Sequence, residues 1–152
     1  MPIRILAVGK KHESWIQEGI ERYQKRLVRP FMLEWVLLAH SAREGQEARQ
    51  EESQRLLARI KDDDFVILLD ERGTIFDSVA ISRLLTTQLE QSQNIVIIIG
   101  GAYGVDTELQ TRANSVWSLS KLVFPHQLVR LILTEQVYRI QEIARGGQYH
   151  HE

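Results

Sequence analysis

The sequence predicts an α/β protein with a mostly parallel sheet flanked by helices. Three observations predict it. Apolar segments alternate along the chain between strand-like and helix-like patterns. Two of the strand-like runs, FVILLD (Phe65–Asp70) and IVIII (Ile95–Ile99), are continuously apolar, as expected of interior strands covered by helices on both faces. No repeat, low-complexity tract or linker interrupts the alternation, so the 152 residues are expected to form a single domain, 1–152.

The elements follow in order. RILAVG (Arg4–Gly9) opens as a strand. Ser14 with Gln17 three residues on resembles a capping box, and Trp15, Ile16, Ile20, Tyr23 and Leu27 recur at helical spacing until Arg29 and Pro30. LEWVLLAH (Leu33–His40) reads as the second strand. Ser41 and Glu44 make another capping pair ahead of a charged segment to about Lys61, whose apolar positions are late: Leu56, Leu57 and Ile60. That pattern suits a solvated helix docked by its last turns, with a mobile flap over a site as the alternative. Asp77 caps a helix with Ile81, Leu84, Leu85 and Leu89 on one side. After the glycines that end IVIII come a short helix in VDTELQTRAN, a final strand in SVWSLS, and a long helix in HQLVRLILTEQVYRIQEIARGG, ended by Gly146 and Gly147.

Composition excludes several chemistries. There is no cysteine, hence no disulfide framework, thiolate nucleophile or cysteine-ligated metal. No metal site is expected. No segment approaches the roughly 18 apolar residues of a membrane span, and the amino-terminal apolar run is too short for a signal core. A cytoplasmic protein without a membrane partner is the expectation. Lys plus Arg number 19 against 20 Asp plus Glu, a formal charge of −1, so any nucleic-acid contact must come from a local cluster.

Turns after three apparent strands carry the chemistry: LDERG (Leu69–Gly73), IGGAYG (Ile99–Gly104) and SLSKLVFPH (Ser118–His126). In open α/β sheets ligands collect in the crevice beyond the carboxyl ends of strands, so the three loops can share one site. Neither G-x-G-x-x-G nor G-x-x-x-x-G-K-[ST] is present, which disfavours a phosphate cradle. Free backbone groups beside Leu69, Ile99, Leu119, Leu122, Val123 and Phe124 suit a flat heteroaromatic base held by main chain between apolar side chains. A tight turn with no ligand is the competing reading of the two glycines.

LDERG, IGGAYG and SLSKLVFPHQLVR, followed by EQVYR and a terminal QYHHE, resemble a small bacterial methyltransferase family that methylates N3 of a pseudouridine in large-subunit ribosomal RNA. The likeness spans essentially the whole chain, including the amino-terminal LAVGK. The family belongs to the SPOUT class, which implies a carboxyl-terminal trefoil knot around S-adenosyl-L-methionine and a homodimer acting on ribosomal RNA within the ribosome. Carried over position by position, its cofactor contacts fall on Leu69, Gly100, Leu119, Ser120, Lys121, Leu122, Val123 and Phe124. Gly100 and Gly101 would then leave room for the methionine or ribose portion of a cofactor that has no phosphate. With net charge near neutral, a large preformed RNA and protein surface is a better substrate than an isolated stem-loop.

Methyl transfer from a sulfonium needs no metal, but an imide nitrogen between two carbonyls must lose its proton. A general base or a stabiliser of the anion is therefore expected. The resemblance places His150 there, as base or substrate anchor, with Tyr149 as a platform or hydrogen-bond partner for the nucleobase, the tail reaching the partner subunit's cofactor site. Without the resemblance the tail reads as a frayed terminus. His126 heads the long helix, where capping or packing competes with a catalytic role. Arg139 has Glu135 four residues earlier and reads first as a surface pair; Arg130 lacks a carboxylate at that spacing and is the better functional candidate. Arg4, Lys10, Lys11, Lys25, Arg26 and Arg29 are candidates for an RNA-binding rim. Where the family often ends in Tyr-His followed by Lys or Arg, this chain has His151 and Glu152, so that position carries positive charge only when His151 is protonated. The rival readings are a non-catalytic RNA- or ribosome-binding module and a generic small-molecule binder.

Overall fold

A computed structural model describes residues 1–151; Glu152 lies outside the described residues. Ten elements alternate: β1 (Ile3–Val8), α1 (Ser14–Gln24), β2 (Leu33–Leu38), α2 (Gly45–Leu57), β3 (Phe65–Ile75), α3 (Ser78–Glu90), β4 (Ile95–Ile99), α4 (Thr107–Arg112), β5 (Ser115–Ser118) and α5 (His126–Ala144). The strands form one sheet in the order β2-β1-β4-β3-β5, and every pairing is parallel. The expected fold class holds.

Alternation within the strands explains why β4 reads as unbroken apolar sequence. Ile95, Ile97 and Ile99 join Ile5, Ala7 and Ile67 in a core shared with Ile81 and Leu85 of α3 and with Leu133, Val137 and Ile140 of α5. Val96 and Ile98 point the other way, with Leu6, Val8, Val66 and Leu68, against Leu56 of α2 and Leu109 of α4. Each face of the strand has its own core, so no position is left for a polar residue.

The helix starts are a mixed result. Asp77 caps α3 as expected, its carboxylate accepting from Ala80 N at 2.7 Å. Neither capping box forms. Glu13 stands at the start of α1, and its carboxylate accepts instead from Trp15 Nε1 at 2.8 Å. Trp15 is 56% exposed and is no part of the core face. Ser41 Oγ accepts from Arg43 N at 3.0 Å, a local turn that leaves Glu44 in the N-cap position before α2, without a side-chain cap hydrogen bond.

α2 is docked along its length, not by its last turns alone. Ala48, Glu52, Ser53 and Leu56 are buried. Two of these are polar and bonded: Glu52 Oε2 accepts from Ser41 N at 2.9 Å, and Ser53 Oγ accepts from Asp106 N at 2.9 Å. The inner stripe escapes a hydrophobicity count because half of it is held by hydrogen bonds.

β3 extends beyond the expected Asp70. Leu69 and Thr74 both register with Trp117 of β5, so residues 70–73 are pushed out of the ladder as a bulge before pairing resumes at Thr74 and Ile75. The bulge is braced by Arg72, whose backbone N donates to Asp70 Oδ1 at 2.9 Å and whose Nη2 donates to Oδ2 at 3.1 Å. These hydrogen bonds hold the Asp70 carboxyl below the usual carboxylate range.

Candidate functional site

Because all five strands run the same way, their carboxyl ends meet at one edge of the sheet, and the loops that leave them enclose a cavity of about 780 Å³. Its walls come from Val8 to Lys10 after β1, His40 after β2, Leu69 to Arg72 at the bulge, Ile99 to Gly101 after β4, and Leu119 to Phe124 after β5, with α5 closing it through His126 and Arg130. The volume falls in the range of sites that enclose a nucleoside-sized ligand. The loop after β5 is held in shape from within. Ser118 Oγ donates to Ser120 O at 3.0 Å, and Leu122 N donates to Ser120 Oγ at 3.0 Å. That leaves Leu122 and Val123, 70% and 80% exposed, presenting apolar surface at the mouth.

The two glycines after β4 have an internal reason to lack side chains. A Cβ on Gly100 would stand 2.9 Å from Val105 Cγ1, and one on Gly101 would stand 2.6 Å from Glu52 Oε1 and 3.2 Å from Val8 Cγ1. The missing methyl groups would point into the protein, so room for a ligand is not what requires the glycines. The close approach is to the buried carboxylate of α2.

Arg130 is the most unusual side chain in the wall. It is 1% exposed, yet takes part in no ion pair among the described residues. Its Nη1 donates to Lys10 O at 2.8 Å and meets His12 Nδ1 at 3.2 Å, while Nε has no partner. Since a guanidinium only donates, His12 accepts at Nδ1. Burial, with the charge of Arg130 beside it, holds His12 below its ordinary pKa and drives His126 down to about 4, where His40 contributes as well.

The carboxyl-terminal tail is ordered against α5. After Gly146, at φ +70°, the chain doubles back along the helix. Tyr149 Oη donates to Glu135 Oε1 at 3.0 Å, Arg139 Nη2 donates to the same oxygen at 2.6 Å, and Arg139 Nη1 donates to His150 Nδ1 at 3.0 Å. Arg139 also covers the Tyr149 ring, 4.8 Å from its centroid, and Tyr138 meets that ring edge-on at 4.8 Å. Burial and the Glu135 contact push the Tyr149 phenol upward, so it stays a donor. His150 lines a second cavity of about 700 Å³ with Ser78, Arg83 and Gln136, and Trp117 and Leu119 line both cavities.

Residues 1–150 match the family model described as "Predicted SPOUT methyltransferase". The chain belongs to the SPOUT methyltransferase family. Its relatives include proteins named "Ribosomal RNA large subunit methyltransferase H". One from Prochlorococcus marinus is 43% identical over 149 residues, spanning 98% of this chain and 95% of the relative. One from Acetivibrio thermocellus is 38% identical over 158 residues, and one from Streptococcus pyogenes 37% over 158 residues, each spanning 99% of both chains.

In this SPOUT methyltransferase the cavity brings together Leu69, Gly100, Leu119, Ser120, Leu122, Val123, Phe124 and Arg130 of the residues singled out in the sequence. Lys121 is exposed and does not line it. Tyr149 and His150 of the same chain do not line it either; His150 lines the neighbouring cavity, and Tyr149 packs against α5. Arg139 covers one face of the Tyr149 ring, and the Tyr149 hydroxyl ties the tail to Glu135. Glu135 and Arg139 form the expected pair, and it also holds the tail. The basic rim is divided. Lys10 lines the cavity, whereas Arg4 is bound to Asp64 at 2.8 Å and to Arg59 O at 2.9 Å, a structural role. Lys25, Arg26 and Arg29 follow α1, which returns antiparallel to β1 and so leaves them near the strands' amino ends, away from the cavity.

Sequence reasoning missed Gly9, His40 and Gln127 as wall residues, and it placed Asp70–Arg72 in a site loop without foreseeing that they bulge out of β3. The signal for two of them was available: Gly9 and His40 follow the carboxyl ends of strands, and the strand-end rule was applied only to the later loops. The bulge had no signal, because Thr74 and Ile75 rejoin the sheet only through β5. Among the described residues no helix is long and apolar enough to cross a membrane.

Proposed function

We propose that the protein transfers a methyl group from S-adenosyl-L-methionine to N3 of a pseudouridine in large-subunit (23S) ribosomal RNA on the assembled ribosome, as a single-domain cytoplasmic enzyme acting as a homodimer. The observation that carries the reading is the cavity at the strands' carboxyl ends, where glycines and apolar side chains of the three later loops meet the basic residues Lys10, His40 and Arg130. Main chain of Leu69, Gly100 and the 119–124 loop would hold the cofactor, with Leu122 and Val123 covering it. That loop, in the trefoil knot we infer for the carboxyl-terminal part, would have its shape set before the ligand arrives. The cofactor supplies a methyl group already activated on a sulfonium.

The protein's own task is then position and charge. The target nitrogen must shed its proton, which leaves to solvent water, and the negative charge that develops spreads onto the flanking carbonyl oxygens. His150 is suited to receive it. Its Nδ1 is occupied as acceptor from Arg139, so the neutral ring carries its proton on Nε2 and can donate to a carbonyl, with the Arg139 charge behind it. That makes His150 an anchor and anion stabiliser in preference to a base. Tyr149 and Glu135 fix the orientation of both groups.

In the dimer we place the tail of one protomer at the cofactor cavity of its partner. Mixing two inactive variants tests this. His150→Ala removes the tail function, and Val123→Trp places a ring at the exposed mouth of the cavity. If the site is shared between subunits, mixed dimers contain one intact site and recover transfer to unmodified ribosomes, read by mass spectrometry of the RNA nucleosides. No recovery from mixtures shown to exchange subunits refutes the shared site. Cofactor binding without any methyl transfer by wild type favours the non-catalytic module.

A further inference from the structure

A buried guanidinium without a carboxylate is costly unless something else compensates its charge. Around Arg130 the compensation is incomplete. Lys10 O takes one proton of Nη1 and His12 Nδ1 lies beside it, but Nε is unsatisfied, and the buried Nε2 of His126 has no partner. The titratable groups beside Arg130 are basic: Lys10 and His12 from the loop after β1, His40 from the loop after β2, and His126 from α5, while Asp70 and Glu71 line the same cavity from the β3 bulge, where Asp70 is paired with Arg72. Gly9 leaves the gap between them open. The point where its Cβ would stand is 3.1 Å from Arg130 Nη2 and 3.6 Å from His40 Nε2, and its φ of +142° is one that other residues rarely adopt.

We propose that Arg130, with His40 and His126, forms an oxyanion subsite in the β1–β2 wall of the cavity, which binds one singly charged oxyanion as part of substrate or cofactor recognition. A fork of guanidinium donors beside imidazole N–H groups, walled by apolar side chains, recognises an oxygen pair such as that of a phosphodiester or a carboxylate. Two sources of that chemistry reach this cavity under the methyltransferase reading on which the occupant's identity rests: a backbone phosphate of the RNA and the carboxylate of the methyl donor. The subsite is separate from the loop contacts at Leu69, Gly100 and 119–124.

The test uses the full-length protein and two variants, Arg130→Met and His40→Glu. Binding of S-adenosylhomocysteine, which has the carboxylate, is compared by calorimetry with that of 5′-methylthioadenosine, which lacks it; KM for unmodified ribosomes is measured across a salt series. A loss of roughly tenfold or more for S-adenosylhomocysteine, with methylthioadenosine unchanged, supports the subsite and identifies the carboxylate. Unchanged nucleoside affinities, with a raised KM for ribosomes and a salt slope smaller by about one, support it and identify a phosphodiester. His40→Glu supplies an internal carboxylate on an exposed position, across the gap at Gly9 from Nη2. It is expected to raise the melting temperature while causing the same binding loss, which keeps the test decisive if Arg130→Met fails to fold. A folded His40→Glu protein with wild-type affinity in both arms overturns the subsite. Failure of wild type itself to bind the nucleosides or methylate ribosomes overturns the methyltransferase reading instead, and the His40→Glu stability gain is read independently of it.

Discussion

Gly101→Ala isolates the reason for the glycine pair after β4. The added methyl would stand 2.6 Å from Glu52 Oε1, nearer than any real contact, and 3.2 Å from Val8 Cγ1. Glu52 is 3% exposed and held by Ser41 N at 2.9 Å, so it has little freedom to withdraw. Overpacking of this kind costs about 1–3 kcal/mol. For a chain of this size that lowers the melting temperature by roughly 3–10 °C. Glu52→Ala removes the obstructing carboxylate at the expense of the Ser41 hydrogen bond. In the double variant the two losses should therefore fall short of their sum by about 1–2 kcal/mol. Thermal and urea unfolding of wild type, both single variants and the double variant measure the cycle. Calorimetry with S-adenosylhomocysteine on the double variant should give an affinity within about twofold of wild type, because the methyl points into the protein and away from the cavity. Strict additivity, or a stable Gly101→Ala protein that has lost nucleoside affinity, would refute the packing explanation and restore a ligand as the cause.

Three further outcomes are expected. His126 titrates near 4 in the folded protein against 6.5 when unfolded, so between those values the unfolded chain holds the extra proton: stability from this residue is complete above pH 6.5 and declines as pH falls toward 4. After allowance for partial exposure the decline is about 1 kcal/mol, and His126→Gln should flatten it in urea midpoints measured against pH. Asp77→Ala removes the cap bond to Ala80 N and should cost about 1 kcal/mol, with Asp77→Asn recovering most of it in the same melts. Tyr149→Phe deletes the donor to Glu135 and should leave global stability within about 1 kcal/mol while increasing amide exchange of residues 147–151; unchanged exchange would show that Arg139 alone holds the tail.

Much of the architecture was legible in the chain. The unbroken run of Ile95–Ile99 specified a strand buried on both faces, and Asp77 specified a helix start, because burial and capping act on neighbouring residues and leave their mark in local order. The loops after the strands, from Leu69 to Phe124, were assembled into one cavity by a rule about strand ends, and the structure brings them together there. The α2 helix shows the limit: its inner face contains Glu52 and Ser53, and a polar residue looks solvated in sequence unless its hydrogen-bond partner is known.

The sequence by itself determined the fold class, the family and the three later loops that surround the cavity. Tertiary structure alone decided what each of those residues does. Gly101 yields to a carboxylate 49 positions earlier in the chain, Arg130 is buried beside the loop after β1, and His150 turns its acceptor nitrogen to Arg139. The reason is that pattern and propensity operate over one or two helical turns. The protonation, orientation and partnering of a side chain depend on groups brought beside it by chain crossings, and those distances exist only once the sheet has formed.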